Sequence, residues 1–228
     1  MQIITIDGPV ASGKSTIARE LARSLGFYYL YSGLWYRALA YLWLREHTLE
    51  QMHDGAVAQW LAQADLASLQ YTIDEHGRDH MALHGKDITS KLHTAAIDEA
   101  ASRLSGFALV RAWVNSTMHQ LAHGRNIVAD GRDMGSEVFP HATLKIFLTA
   151  DLDVRAERWR AKQHKQGMNY THEQACALIQ ERDERDAQRT LAPLCVPVDA
   201  HIIYNNGNDP QAVVQELHKF FTSDAQLQ

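Results

Sequence analysis

The run Gly8-Pro9-Val10-Ala11-Ser12-Gly13-Lys14-Ser15-Thr16 contains G-x-x-x-x-G-K-[ST], a spacing that can wrap backbone amides around a polyphosphate. The glycines let successive N–H groups turn inward. A helix that follows would aim its positive end at the same anion. Lys14 would reach the terminal phosphates, and the Ser15 hydroxyl would ligate Mg²⁺. Average residue usage gives such a string about a 1% chance of arising in a chain of this length. Asp130 ends the apolar run Ile127-Val128-Ala129, which suits a carboxylate that holds Mg²⁺ through water. A second set is cationic. Arg155, Arg158 and Arg160 fall in one helical stretch, and Arg182, Arg185 and Arg189 in the next, where spacings of three and four share a face. Alone, that pattern also describes a solvated face laced with ion pairs, because Glu157, Glu181, Asp183 and Glu184 are interleaved. Beside a phosphate loop it reads as forks for phosphate.

These residues need elements to hold them. Gln2–Ile6 reads as a buried strand, and Lys14–Leu25 as a helix stopped by Gly26. Phe27–Leu30 reads as a second strand, followed by helices over Leu34–Leu44 and Asp54–Ala64. Between Leu69 and Ile88 the apolar period changes to two, which predicts a small antiparallel meander inserted among helices. Helices are expected over Thr94–Arg103 and Phe107–His123, then strands over Asn126–Ala129 and Leu144–Leu148. Two charged helices, Asp151–Lys165 and Thr171–Arg189, flank a turn at Gly167. Ile202–Tyr204 is a last strand, and Asp209-Pro210 starts a final helix with proline at its first position. Strands alternating with helices imply an α/β fold with a mostly parallel sheet covered on both faces.

Composition narrows the function. The chain has 228 residues, 46% hydrophobic and 21% charged, with a formal net charge of −5. That charge excludes a generic binder of nucleic-acid polymer. No apolar run is long enough to span a bilayer, and two cysteines suit a reducing cytoplasm. The 22 basic residues comprise 15 arginines and 7 lysines, a bias toward bidentate anion contacts. No [NT]-K-x-D guanine reader is present, and Leu104-Ser105-Gly106-Phe107 lacks the rest of a transporter signature. A kinase for a small molecule or nucleotide remains, with an arginine-rich cover that excludes water. Thirteen histidines show no zinc-like spacing with the cysteines and read as exposed polar groups. Cys176 reads as an inert packed thiol, and Trp35, Tyr36, Tyr41 and Trp43 as core.

Further blocks carry a resemblance. They include Ile4-Thr-Ile-Asp-Gly8-Pro, Ser32-Gly33 followed by Tyr36-Arg37, Ala101-Ser102, Val110-Arg111 and Ala129-Asp-Gly-Arg-Asp-Met-Gly135. Val138-Phe-Pro140, Lys145-Ile-Phe-Leu148, Glu181-Arg-Asp183, Arg185-Asp186, Arg189 and Ala192-Pro-Leu194 continue the pattern. From Ile3 to about Leu217 the chain resembles the bacterial cytidylate kinases, P-loop nucleoside monophosphate kinases that use ATP and CMP or dCMP. The resemblance implies one P-loop kinase core over residues 1–228, with a parallel five-stranded sheet flanked by helices. It also implies a monophosphate-binding region at about 31–105, a β insert at about 69–88, and an arginine-rich lid at about 151–189.

By the same resemblance, Ser102, Arg111 and Asp133 would read cytosine, and Arg182 and Asp186 would hold the ribose. Ser32, Arg37, Arg132 and Arg189 would hold the acceptor phosphate, and Arg155, Arg158 and Arg185 would serve lid and transfer. The base assignment has its own logic: a carboxylate accepts from cytosine N4 and a guanidinium donates to N3 and O2. The expected state is a monomeric cytoplasmic enzyme working on ATP and CMP or dCMP, with Mg²⁺ and with no membrane or nucleic-acid partner. UMP, AMP or shikimate as acceptor is the alternative within the class, and a non-catalytic nucleotide-binding protein the alternative outside it. Three positions depart from the family pattern. Tyr31 stands where an Asp is usual, His93 where an Arg is usual, and Trp159 where a second Arg usually follows Arg158, with Arg160 a candidate substitute.

Overall fold

A computed structural model describes residues 1–207 and 209–224, with the side chains of 223 and 224 left aside. The chain divides into two compact units, residues 1–28 with 124–228 and residues 29–123.

The first unit is built on β1 (Ile3–Asp7), β6 (Ile127–Asp130), β7 (Leu144–Thr149) and β8 (His201–Tyr204). β1 pairs in parallel with β6 and β7, and β7 with β8. β2 (Tyr28–Tyr31) begins in this unit and completes a five-stranded sheet of order β2-β6-β1-β7-β8. Residues of β1 and β6 are buried on both faces, the reason their sequences run apolar without alternation. α1 (Lys14–Leu25) buries Ile17, Ala18, Leu21 and Ala22, a stripe at helical spacing. Gly26 closes it in a left-handed conformation, and Phe27 N–H reaches back to the Ala22 carbonyl at 2.8 Å. α6 (Leu152–His164) and α7 (His172–Ala187) pack around Ala156, Ala175 and Ile179. A capping box at Thr171 and Gln174 starts α7, a sequence signature that periodicity alone overlooked. α7 ends at Ala187, so Arg189 lies beyond the helix on which the sequence reading put it. α8 (Pro210–Asp224) begins at the expected proline, and Asp209 Oδ1 accepts from Gln211 N–H at 2.9 Å.

The second unit holds α2 (Ser32–Trp43), α3 (Asp54–Gln63), α4 (Ala95–Leu104) and α5 (Ala108–Ala122). The meander expected between Leu69 and Ile88 is present as β3 (Leu69–Ile73), β4 (Asp79–Leu83) and β5 (Lys86–Asp87), antiparallel throughout. Trp35, Tyr36 and Trp43 are buried as core, while Tyr41 is half-buried. Among the described residues, no helix is long and apolar enough to cross a membrane.

Three short elements were absent from the sequence reading: 3₁₀ turns over Leu66–Ser68 and Thr89–Leu92, and a π-helical turn. Residues 134–138 form a π-helical turn after β6, in which Glu137 and Val138 N–H both reach the Asp133 carbonyl. Such a turn is too short to leave a periodic pattern, and local wide turns of this kind often sit at functional sites.

Candidate active site

The loop from Gly8 to Gly13 joins β1 to α1, where the sequence motif requires it. Gly8 is at φ +147°, and a Cβ there would lie 2.0 Å from the Leu148 carbonyl oxygen, so no side chain fits. Lys14 is buried, and its Nζ donates to the Pro9 carbonyl at 2.6 Å and to Ser12 Oγ at 3.3 Å. Burial lowers its pKa to about 7, assisted by Arg132 and opposed by Asp130, Asp183 and Asp7.

Residues of α6 and α7 are tied to this loop. Asp183 on α7 accepts from Val10 N–H at 3.1 Å and is ion-paired with Arg155 on α6. Arg155 also donates to the Ala150 carbonyl at 2.9 Å and the Val10 carbonyl at 3.3 Å. Arg158 donates to the Gly207 carbonyl at 2.6 Å and lies 3.4 Å from the Ser12 carbonyl, which Asn205 Nδ2 reaches at 2.8 Å. A carboxylate therefore sits on a loop amide, where a phosphate oxygen could accept the same bond. Arg185 lies half-buried on α7 and bonds Glu181 at 2.8 Å. Arg160, the candidate substitute for a second arginine, is held by the Tyr170 carbonyl at 3.0 Å and Glu157 at 2.7 Å, while Trp159 packs on the Tyr170 ring.

Asp7, Asp183 and Asn205 organise this region without having been singled out. The Asp7 carboxylate is fully buried and accepts from Met134 N–H at 2.8 Å and Gly135 N–H at 2.7 Å. Burial pushes its pKa up to about 7 despite those two bonds. It thereby fixes the start of the π-helical turn and the backbone that carries Asp133, itself buried. Apart from its place in the Ile4-Thr-Ile-Asp-Gly8-Pro block, its signal in the sequence is an Asp ending an apolar strand, which turn chemistry explains as readily. Asp130 ends β6 opposite Ile6 and is buried, while Ser15 opens α1. A carboxylate and a hydroxyl are hard oxygen donors that fit Mg²⁺.

Around Asp186 the first unit gathers three arginines. Arg132 Nε donates to Asp186 Oδ2 at 3.0 Å, Arg189 Nε donates to the Asp186 carbonyl at 3.2 Å, and Arg182 lies one turn before it on α7. Burial works to raise the Asp186 pKa, yet Arg132, Arg189 and Arg182 outweigh it and hold the carboxyl below its ordinary value.

The second unit carries Ser32, Arg37, Ser102 and Arg111, all buried. Arg37 Nε donates to Asp98 at 2.7 Å, while its Nη1 bonds the Tyr31 hydroxyl and the Gly33 carbonyl at 3.2 Å. Burial opposes its charge, but Tyr31 and Asp98 outweigh burial and raise its pKa. A Cβ on Gly33 would meet the Tyr31 ring at 2.6 Å, so the glycine makes room for that ring. Tyr31 thus partners Arg37 from the position where the family pattern has Asp. Arg111 Nη1 donates to the Ser105 carbonyl at 3.2 Å, and Ser105 Oγ to the Ser102 carbonyl at 2.7 Å. His93 follows the 3₁₀ turn Thr89–Leu92.

A phosphate loop between the first strand and first helix of a 2-6-1-7-8 parallel sheet, closed by an arginine-bearing helix pair, defines a P-loop kinase fold. Solved structures share it at fold level. The shikimate kinase of Acinetobacter baumannii matches with TM-score 0.51 at 13% identity, over 98% of this chain and 94% of that one. An uncharacterized protein from Eubacterium ventriosum matches with TM-score 0.52 at 12% identity, over 98% and 99%. Within that class the chain belongs to the cytidylate kinase family, whose model matches residues 4–223. It is 37% identical to the cytidylate kinase of Bordetella pertussis over 96% of this chain and 94% of that protein. It is 36% identical to the bifunctional pantoate ligase/cytidylate kinase of Synechococcus elongatus, over 96% of this chain but 42% of that longer protein.

Proposed function

We propose that this chain transfers the γ-phosphate of ATP to CMP or dCMP, giving ADP and CDP or dCDP. The observation that carries the reading is the buried Lys14 loop under Arg155 and Arg158, in a chain matched to the cytidylate kinase family over residues 4–223. The Gly8–Thr16 loop, through its backbone N–H groups other than at Pro9, and the Lys14 ammonium hold the ATP phosphates. A phosphate dianion beside Lys14 restores the charge that burial removes. Ser15 directly, and Asp130 through water, would hold Mg²⁺, which would neutralise charge on the transferring phosphate. Arg155, Arg158 and Arg185 stabilise the charge that spreads over the transferring group.

Ser32, Arg37, Arg132 and Arg189 fix the acceptor phosphate, Arg182 and Asp186 the ribose, and Ser102, Arg111 and Asp133 the cytosine. An acceptor oxygen attacks the γ-phosphorus as the bond to the β-bridging oxygen breaks. No general base is needed, because a phosphate monoester with second pKa about 6 is mostly dianionic at neutral pH. Catalysis is then alignment and charge neutralisation. Uracil would turn a lone pair toward Asp133, and an unpaired buried polar group costs about 1–3 kcal/mol. The reading describes a cytoplasmic monomer; its two free cysteines suit a reducing compartment.

ADP release, measured with ATP, Mg²⁺ and CMP, dCMP, UMP, AMP or shikimate in turn, tests the proposal. CMP or dCMP should be the preferred acceptor. Preference for any of the other three, or no turnover at all, overturns it. Asp133→Asn should raise KM for CMP about 10- to 100-fold with ATP binding unchanged. Equal loss of both would assign Asp133 to the fold instead.

A further inference from the structure

Away from the loop, α6 and α7 bring together a second group of side chains that phosphate transfer does not use. Asp153 and Glu157 lie one turn apart on α6, and His172 and Cys176 one turn apart on α7. His172 Nε2 is 2.8 Å from Asp153 Oδ1, and Cys176 Sγ is 3.4 Å from His172 Nε2 and 3.9 Å from Asp153 Oδ1. The sequence reading took Cys176 for an inert packed thiol and found no zinc-like pattern. The thiol does pack on the Ala156–Ala175–Ile179 contact, but it is half-buried and also faces an imidazole and a carboxylate. Spacing concealed the group because its members come from two helices, 19 residues apart at the Asp153–His172 contact.

We propose that Asp153, His172 and Cys176 form a zinc-class metal site on the lid, with Glu157 holding His172 in the ligating orientation. Bonds of about 2.0–2.3 Å at tetrahedral angles set donor atoms about 3.3–3.6 Å apart. The observed separations of 2.8, 3.4 and 3.9 Å bracket that range, so shifts of about half an ångström complete the site. Glu157 Oε1 lies 2.9 Å from His172 Nδ1. A carboxylate there keeps the proton on Nδ1 and leaves Nε2 to the metal, as in carboxylate–histidine–zinc arrangements. One thiolate, one imidazole and one carboxylate favour Zn²⁺ or Co²⁺ over Mg²⁺ or Ca²⁺, which take oxygen. On binding, the thiol proton and the Nε2 proton leave to solvent, and water fills the fourth position. Asp153 is 82% exposed, so an ion reaches the site without opening the core. Bound metal would join α6 to α7 above their Ala156–Ala175–Ile179 contact.

The test uses the full chain without nucleotide or Mg²⁺, so it reads independently of the kinase proposal. Zn²⁺ titrated by calorimetry should bind at one ion per chain. Co²⁺ should give thiolate-to-metal charge-transfer absorption that Cys176→Ser abolishes. Zn²⁺ should protect Cys176 from alkylation and leave the exposed Cys195 reactive, an internal control in the same molecule. Glu157→Gln should weaken Zn²⁺ binding about 10- to 100-fold while keeping the charge-transfer band. Equal alkylation of both thiols with and without Zn²⁺, or Co²⁺ bound without a thiolate band, overturns the proposal. Either result would leave His172 as a surface histidine paired with two carboxylates.

Discussion

The phosphate-loop unit and the meander-bearing unit hold their arginines differently. In the first, the ties are long in sequence: Val10 to Asp183, Arg155 to Val10, Arg158 to Ser12 and Asn205 to Ser12. In the second, most ties are short: Arg37 is held by Tyr31 and Gly33, six and four residues away, and Arg111 by Ser105, six away, with Asp98 the distant partner of Arg37 at 61 residues. A loop that binds phosphate through backbone needs distant side chains to keep it shaped while empty. An arginine on a helix needs only neighbours that fix its fork. Substitutions in the first unit should therefore act on remote parts of that unit, and substitutions in the second should act locally.

The sharpest break is Lys14→Ala. It removes the one lysine of the loop, and kcat for CMP should fall about 10³-fold, as when a fixed charge donor is lost from a transfer site. Unchanged turnover would undo the assignment of the loop. Asp183→Ala should come next. It strips Arg155 of its carboxylate and Val10 of its acceptor, at a cost of about 2–3 kcal/mol. Chemical denaturation should show that loss, and hydrogen exchange should rise at the Gly8–Gly13 loop, far from residue 183 in sequence. A loss confined to α7 would erase the contrast between the units.

The contrast also explains what the sequence could reveal. The loop, the strands beside it and the meander were all legible, because backbone geometry and alternation write themselves into contiguous residues. α1 spans the expected Lys14–Leu25. The ties that shape the loop were not legible. Asp183 and Asn205 act from 173 and 193 residues away; Asp183 appeared as an acid of a charged helical face and a member of the Glu181-Arg-Asp183 block, and Asn205 in no pattern at all. Asp7 looked like a strand end because its partners, two amides of a π-helical turn, leave no trace in side-chain types. Asp130 was singled out by its place at the end of an apolar strand, Asp133 and Asp186 by resemblance, and burial marks all three as more than solvated acids. Tyr31 was noticed only as a departure. Its function as a partner of Arg37 needed the ring and the guanidinium in space.

A smaller effect, local to the second unit, is expected of Tyr31→Phe. The ring stays above Gly33, and Arg37 keeps Asp98 and the Gly33 carbonyl but loses a hydroxyl acceptor. One neutral acceptor on a charged fork is worth about 1–2 kcal/mol, so KM for CMP should rise about 5- to 30-fold. The KM for ATP should stay constant if the disturbance is local. A matching rise in both would show that the acceptor side transmits as the loop does.

The smallest effect belongs to the meander. His80 on β4 lies between Asp74 at 3.2 Å and Asp87 at 3.1 Å, and Arg78 shares the same Asp74 oxygen. Hydrogen bonds to Asp74 and Asp87 raise the His80 pKa above 6.5, although partial burial opposes this. Asp74 and Asp87 are themselves held below their ordinary 3.8, the first chiefly by the Arg78 backbone and the second by Thr89. A folded-state pKa above the unfolded value means the folded chain binds the proton more tightly, so this contribution is full between about pH 4 and 6.5. It disappears as pH rises through the raised value. His80 is 35% exposed, so solvent screening limits the contribution to under about 1 kcal/mol. The difference in melting temperature between the native chain and His80→Gln should therefore be present at pH 5.5 and absent at pH 8. A difference that stayed constant across that interval would mean that His80 acts through packing on the sheet. The local network of the second unit would then owe nothing to charge at this position.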